Sequence, residues 1–538
     1  MAQLTGRPLT PSVAAESAPE TRHLKSVAVA GMVGTAIEFY DFFLYGLAAS
    51  LVLNSQFFPK ISPLAGTLAS LGTFGAGILA RPLGALIFGH LGDRSGRKHV
   101  LVLTLVTAGG STALVGLLPN YQQIGIAAPV LLLALRILQG LGIGGEWGGA
   151  VLMAAEHAPG TRRTVWACFP QMGNPVGLIV AILVLFLFNG VLSAPQFQNW
   201  GWRIPFLLSL ALVVLGLVIR RRIRETPEFE QVRGARDLLK LPMATLAKNY
   251  TRSLVLGTLY STASPAIGLL IYVYAVAIGH ELLHIPTARM LDLAAAAGVG
   301  VLVAIWVSAN LAEKIGRKIV SILGFVLMMA WAIPFVLLFR TGFIPPMLVG
   351  FVMFGVAVGM VNGPQAAVLA GLFPVAARYT GVSVAFQLAS VLGGAVAPLA
   401  LVALLGTTHQ LVVIGLWALI LAAMSTVAFL LLPPSATGVH QQNPHSSTKR
   451  TEMGLIPSRF PAARDDATPP RPTLSTSDPA ALIGEAMTAI PSRGHQPLVY
   501  ALLDRSPVRP PHECIEENHK SDLCKFRSTR AERGVSWL

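Results

Sequence analysis

Charge is what this sequence has least of. Only 12% of its 538 residues are Asp, Glu, Lys or Arg, whereas an ordinary soluble domain has about a quarter, so a water-soluble fold of this length could not cover its surface. Cysteine is scarcer still. Cys168, Cys514 and Cys524 cannot make a disulfide framework, and nothing here indicates an oxidising compartment. No glycine loop ends in Lys-Ser or Lys-Thr, which argues against ATP-driven chemistry. His512, Cys514, His519 and Cys524 lie near one another, but their order and spacing match no zinc finger, and no metal is expected. The apolar part of the chain holds no catalytic triad, so an enzyme is not expected.

What is abundant is hydrocarbon. Hydrophobic residues make up 53% of the chain, in about a dozen runs, each long enough to cross ~30 Å of lipid as a helix. The first run begins at Val27 behind a polar start, with no small-residue cleavage site after it, and reads as a retained helix. The net charge of +15 could suggest nucleic acid, but its distribution does not. Cations gather in alternate loops: Arg94, Arg97 and Lys98; Arg162 and Arg163; the run 220–224; Lys314, Arg317 and Lys318; Arg378. By the positive-inside rule those loops and both termini are cytoplasmic, and the expected location is the plasma (inner) membrane.

An internal repeat divides the chain. "GHLGDRSGRKHVL" at 89–101 aligns without a gap on "ANLAEKIGRKIVS" at 309–321, each in the loop after the second run of its half. The expected organisation is a cytoplasmic segment 1–26, a six-helix half 27–220, a linker 221–251, a second half 252–433 and a tail 434–538. The tail is rich in Pro, Ser, Thr, Arg and Asp, has no sustained apolar period, and reads as disordered. Parallel six-span repeats joined by a cytoplasmic linker form a transporter architecture, with the substrate site between the halves near the midplane.

Several stretches carry a family likeness. "GTAIEFYDFFLYG" (34–46), "ARPLGALIFGHLGDRSGRK" (80–98), "LRILQGLGIGGEWGGAVLMAAEHAP" (135–159), "GWRIPFLLS" (201–209), "ETPEFE" (225–230) and "RYTGVSVAFQLASVLGGAVAPL" (378–399) together resemble the metabolite:proton symporters of the major facilitator superfamily. The resemblance implies an all-α membrane protein with the major facilitator fold, of twelve transmembrane helices in two six-helix halves, taken here as a monomer in the bilayer. It implies symport of a small carboxylate-bearing metabolite, an organic acid or a zwitterionic osmolyte, driven by the proton gradient without a cofactor or nucleic acid. An uncoupled facilitator or exchanger, and a membrane sensor signalling through the tail, are the other readings. The osmolyte members with long tails carry a coiled coil, and no heptads occur here.

Within the spans, charged residues are costly, at about 2.5–3.5 kcal/mol each near the centre. Glu38 and Asp41, three apart on the first helix, project toward one region. By rise per residue Asp41 lies ~20 Å in from one end of its helix and Arg136 ~14 Å in from the opposite end, so both fall near middle depth. The family resemblance adds that the first-span acid and fourth-span arginine face the central cavity in related proton-coupled sugar porters. The expectation is that Asp41 carries the proton and Arg136 gates it, against the plainer reading of a static buried pair. Glu38 is divided between coupling and an ion pair with Arg81. Arg81, before Pro82, either receives a substrate carboxylate or snorkels to the interface. Glu146, in "GGEWGGA", is an intramembrane acid that either bonds a neighbouring helix or serves proton movement, while Trp147 reads as packing.

The repeated loop is expected to be a cytoplasmic gate, mainly on the family's showing. Gly89, Gly92 and Gly96 belong to the motif, and Gly92 and Gly96 permit a tight turn. Asp93 caps the next helix or accepts from Arg97. Glu156 pairs with Arg94 or Arg97, Arg162 lies close by, and Lys98, Glu313, Gly316 and Arg317 complete the set. Candidate substrate contacts are Gln139, Gln171, Asn174, Tyr260, Tyr272, Asn362, Gln365 and Gln387. Asn174 and Asn362 are favoured because Pro175, Gly363 and Pro364 free backbone groups nearby.

Overall fold

The computed structural model describes residues 18–437, except 60–62, 160–161, 222–223, 235–238, 240 and 409. Residues 1–17, and the tail expected from 434 beyond the short helix Pro434–Thr437, lie outside the described residues.

Twelve described helices are long and apolar enough to cross a membrane: α1 Leu24–Ala48, α2 Gly72–Ser95, α3 Arg97–Leu117, α4 Ala127–His157, α5 Arg163–Phe188, α6 Arg203–Arg221, α7 Thr251–Leu283, α8 Thr287–Ile315, α9 Arg317–Phe339, α10 Ile344–Ala370, α11 Val375–Leu405 and α12 Val412–Leu430. Their outward faces are apolar. Leu79, Leu83 and Ile87 of α2, one turn apart, are 59, 58 and 50% exposed, a stripe suited to hydrocarbon and not to water. The interior, conversely, holds the ionisable residues Glu38, Asp41, Arg81, Arg136 and Glu146, all buried.

The halves pack by the same scheme. In the first, α1 lies on α5, while α4 packs against α2 and α3, and α3 against α6. In the second, α8 lies on α10, α9 on α10 and α12, and α7 on α11 and α12. Contact between the halves runs along α2 with α11 and α5 with α8, pairs that exchange when each helix is advanced by six. Helix interiors carry Pro82, Pro175, Pro265, Pro334 and Pro364. A wider π turn interrupts α7 at Leu270–Tyr274 and α11 at Leu392–Val396. Such turns release backbone groups and redirect side chains, often at functional positions.

The repeated motif differs from the expected loop. Gly92, Asp93, Arg94 and Ser95 continue α2, and the break before α3 is Gly96 alone, at φ 103° and ψ 151°. Gly316 makes the same break between α8 and α9, at φ 93° and ψ 144°. These conformations disfavour any residue with a Cβ. Gly92 serves close approach: a Cβ there would run into the Tyr379 ring of α11.

Candidate functional site

A cavity lies between the halves, lined from the first by Phe39, Phe42, Arg81, Gln171 and Asn174 and from the second by Ser264, Tyr272, Asn362, Gln365 and Phe386, among others. Arg81 is the one charged residue among its lining groups. It is 6% exposed, its guanidinium sits 4.6 Å over the Phe42 ring, and its Nε has no protein partner. It therefore does not snorkel to an interface. Across the cavity the Ser264 hydroxyl donates to Asn362 Oδ1. Gln171 Nε2 donates to Gln365 Oε1 at 2.7 Å, and Trp147 Nε1 donates to Gln171 Oε1 at 2.8 Å. That chain joins the halves, and the Trp147 ring stacks on Phe386 at 3.6 Å.

Of the expected contacts, Arg81, Asn174, Asn362 and Gln365 meet here, together with Gln171 and Tyr272. Gln139, Tyr260 and Gln387 do not. Gln139 is bonded to Arg136 and to Thr112 inside the first half. Tyr260 packs against Phe429 and Phe325 in the aromatic core of the second, with centroids at 5.1 and 5.9 Å. Gln387 Nε2 donates to the Ile143 carbonyl of α4 at 3.4 Å. Ser264, Ser390 and the phenylalanines were not singled out in the sequence. In helices buried on every side, no apolar period tells which face meets a cavity.

The acids stand behind this lining. Asp41 is 1% exposed and its Oδ1 accepts from the Ser209 hydroxyl of α6 at 2.5 Å. It faces the interior of the first half, away from lipid and outside the cavity lining. Among the described residues no cation comes within 4.0 Å of it, so Asp41 and Arg136 are not a direct ion pair. Arg136 Nη1 donates to Gln139, whose Nε2 donates to Thr112 Oγ1 at 2.7 Å. The Arg136 guanidinium lies 3.8 Å over Tyr45. Glu38 and Arg81 likewise form no ion pair, and Glu38 Oε2 has no protein partner. Glu146 bonds Arg220, which also donates to the Leu101 carbonyl. Arg220 was grouped with the cationic loop run 220–224. It is instead 3% exposed inside α6.

The motif-bearing face is closed by polar contacts between the halves. Asp93 does not cap α3. Its carboxylate accepts from Tyr379 N at 3.0 Å, Thr380 N at 2.9 Å and the Thr380 hydroxyl at 2.7 Å, all on α11. The reason is geometric: α2 runs past Gly92 and presents Asp93 to the free amides that open the partner helix. The repeat does the same in mirror order. Glu313 accepts from Thr164 N of α5 at 2.6 Å, and Arg317 Nε donates to Thr164 Oγ1 at 2.8 Å.

Glu156 pairs with Arg97 at 3.1 Å and with Arg378 at 3.1 Å. Arg94 is exposed, outside this network, because it points away from the seam. Arg162 is exposed too, and its neighbour Arg163 joins the seam instead, donating to the Ala155 carbonyl at 2.9 Å and to Glu228. Glu228, in the linker helix Pro227–Gly234, also receives Arg378. One linker carboxylate thus bridges arginines that open α5 and α11. Sequence reasoning missed Glu228, Arg163 and Thr226, whose hydroxyl accepts from Arg97 Nη1 at 3.1 Å, although setting "RRT" at 162–164 beside "ARY" at 377–379 would have pointed to Arg163. Lys98 is tied to the linker through its amide to Glu225 Oε2 at 3.2 Å and its Nζ to the Arg221 carbonyl at 3.2 Å. Partial burial would raise the Glu228 carboxyl, but Arg378 and Arg163 outweigh it and hold the group below the usual carboxylate range.

Helices in two repeats around a cavity between them, with one seam held by charged contacts, form the architecture of a membrane transporter. The sequence matches the Major Facilitator Superfamily over residues 31–398, and the chain belongs to that family. It is accordingly a multi-pass membrane protein and not an enzyme. It is 40% identical over 411 residues to the inner membrane metabolite transport protein YhjE of Escherichia coli, covering 75% of this chain and 93% of that one. The Escherichia coli shikimate transporter is 35% identical, covering 75% and 94%, and the Escherichia coli proline/betaine transporter 33%, covering 69% and 76%. These relatives agree with the resemblance carried by the motifs. Among solved structures the proton:xylose symporter XylE bound to 6-bromo-6-deoxy-D-glucose superposes with a TM-score of 0.64 at 19% identity, covering 76% of this chain and 95% of that one, which shows the shared fold.

Proposed function

We propose that this protein is a proton-coupled symporter of a small carboxylate-bearing metabolite, working by alternating access without a cofactor. The observation that carries the reading is Asp41, a buried carboxylate held by the Ser209 hydroxyl and in no ion pair, in the same half as a buried arginine that is bonded to Gln139 and through it to Thr112. An isolated ion at that depth is expensive. Proton occupancy of Asp41 is therefore linked to any movement that brings or removes positive charge, and Arg136, held by Gln139 and a ring face, is the cation within reach. Arg81 meets the substrate carboxylate in the cavity. The contacts of Asp93, Glu313, Glu156 and Glu228 hold the cytoplasmic side shut while the cavity faces outward, and their release admits inward opening. Names of relatives that include metabolite, shikimate and proline/betaine transport support the solute class.

The test is reconstitution into proteoliposomes and uptake of labelled organic acids and osmolytes with and without an imposed pH gradient. Accumulation that requires the gradient is expected. Equal uptake in both conditions would make the protein a facilitator.

A further inference from the structure

The cavity narrows the solute further, on the premise that it is the transport site. We infer that it takes a hydroxy- or oxo-monocarboxylate, and that dicarboxylates and quaternary ammonium zwitterions are refused.

The argument is an inventory of what the lining leaves uncommitted. Arg81 supplies the single positive charge, and its Nε is buried without a protein partner. A guanidinium held over a ring in low dielectric is a planar fork for one carboxylate. Glu38 of α1 is buried outside the lining, and no second cation lines the cavity, so an additional carboxylate in the ligand would have no cation of its own. On the opposite wall, Gln365 Nε2 and the Tyr272 hydroxyl are likewise buried and unpartnered, at 1% and 4% exposure. Gln365 Oε1 is already engaged by Gln171, so only its amide hydrogens remain to be used. An amide NH2 and a phenol are donors for a neutral oxygen, a hydroxyl or a keto group. Phe39, Phe43 and Phe386 supply apolar rings for the carbon body between these ends. No carboxylate lines the cavity to balance a quaternary ammonium group, and the Phe42 face it would seek is covered by Arg81. The free groups come from both halves, so a ligand that satisfies them also draws the halves together, as transport requires.

The experiment is calorimetric titration of the full chain in lipid nanodiscs, without a pH gradient, using shikimate, quinate and 2-oxobutyrate against malate, citrate and glycine betaine. At least one of the first three is expected to bind tenfold or more tightly than each of the others. R81Q should lose that ligand at least tenfold, and Y272F or Q365L several-fold, with the wild-type order deciding the matter if R81Q does not fold. Malate, citrate or betaine binding as tightly as the best monocarboxylate would overturn the inference, as would binding by none of the six. Because binding is read without a gradient, a failure of proton coupling leaves this order standing, and a reversed order leaves coupling standing.

Discussion

Asp93 and Thr380 are joined across the two halves by paired hydrogen bonds, amide to carboxylate at 2.9 Å and hydroxyl to carboxylate at 2.7 Å. Glu313, at the same place in the repeat, holds Thr164 N at 2.6 Å. Each acid ends the second helix of its half and caps the fifth helix of the other. The seam between the halves is therefore a pair of exchanged helix caps, and the arginines around them are reinforcement.

Removing one cap should shift the balance between the two faces. Asp93 accepts three hydrogen bonds, and bonds to a charged group contribute about 1.5–3 kcal/mol each, so D93A should change the ratio of outward to inward states by about a thousand-fold or more. Labelling of a cysteine placed in the α4–α5 turn should rise, and uptake should fall about tenfold. G92V, which drives a side chain into the Tyr379 ring, should do likewise with Asp93 intact. Unchanged labelling in both variants would mean that the seam is held elsewhere.

The linker clamp has a defined pH range. The Glu228 carboxyl is held below its ordinary value by Arg378 and Arg163 despite partial burial. Its contribution is then full above the unfolded pKa of about 4.3 and lost only as pH falls through the lower, folded value. E228Q should therefore lower thermal stability by the same amount at about pH 8 and about pH 5.5, with the deficit shrinking only below about pH 4.3 and vanishing once the pH has fallen through the folded value. A deficit that shrinks between pH 7 and 6 would contradict this.

Glu146 and Arg220 form a pair with side chains 1% and 4% exposed. Breaking a buried pair strands one charge at about 3–5 kcal/mol, whereas replacing both can be nearly neutral. E146Q and R220M should each lower the melting temperature in detergent markedly, and E146L/R220M should recover most of the loss. A double variant as unstable as the sum of the singles would show that the two residues act independently.

How far the sequence spoke depends on how local the determinants are. Twelve apolar runs, and the repeated glycine before "RK", lie in short stretches and were legible. Arg220 was not, because an arginine in "RRRIR" reads as a loop cation until the helix length shows it to be inside. Asp93 was given the nearest helix to cap, while its partner lies in the other half of the chain. Gln139 and Asn174 are equally polar in apolar surroundings, and only three-dimensional packing turned one toward Arg136 and the other toward the cavity.

The most direct measurement is the D41N variant in proteoliposomes, assayed for gradient-driven accumulation and for exchange of internal against external solute. Accumulation should be abolished while exchange continues at an appreciable fraction of the wild-type rate. If D41N accumulates solute as fully as the parent, Asp41 is not the proton carrier and the coupling mechanism built on it is wrong.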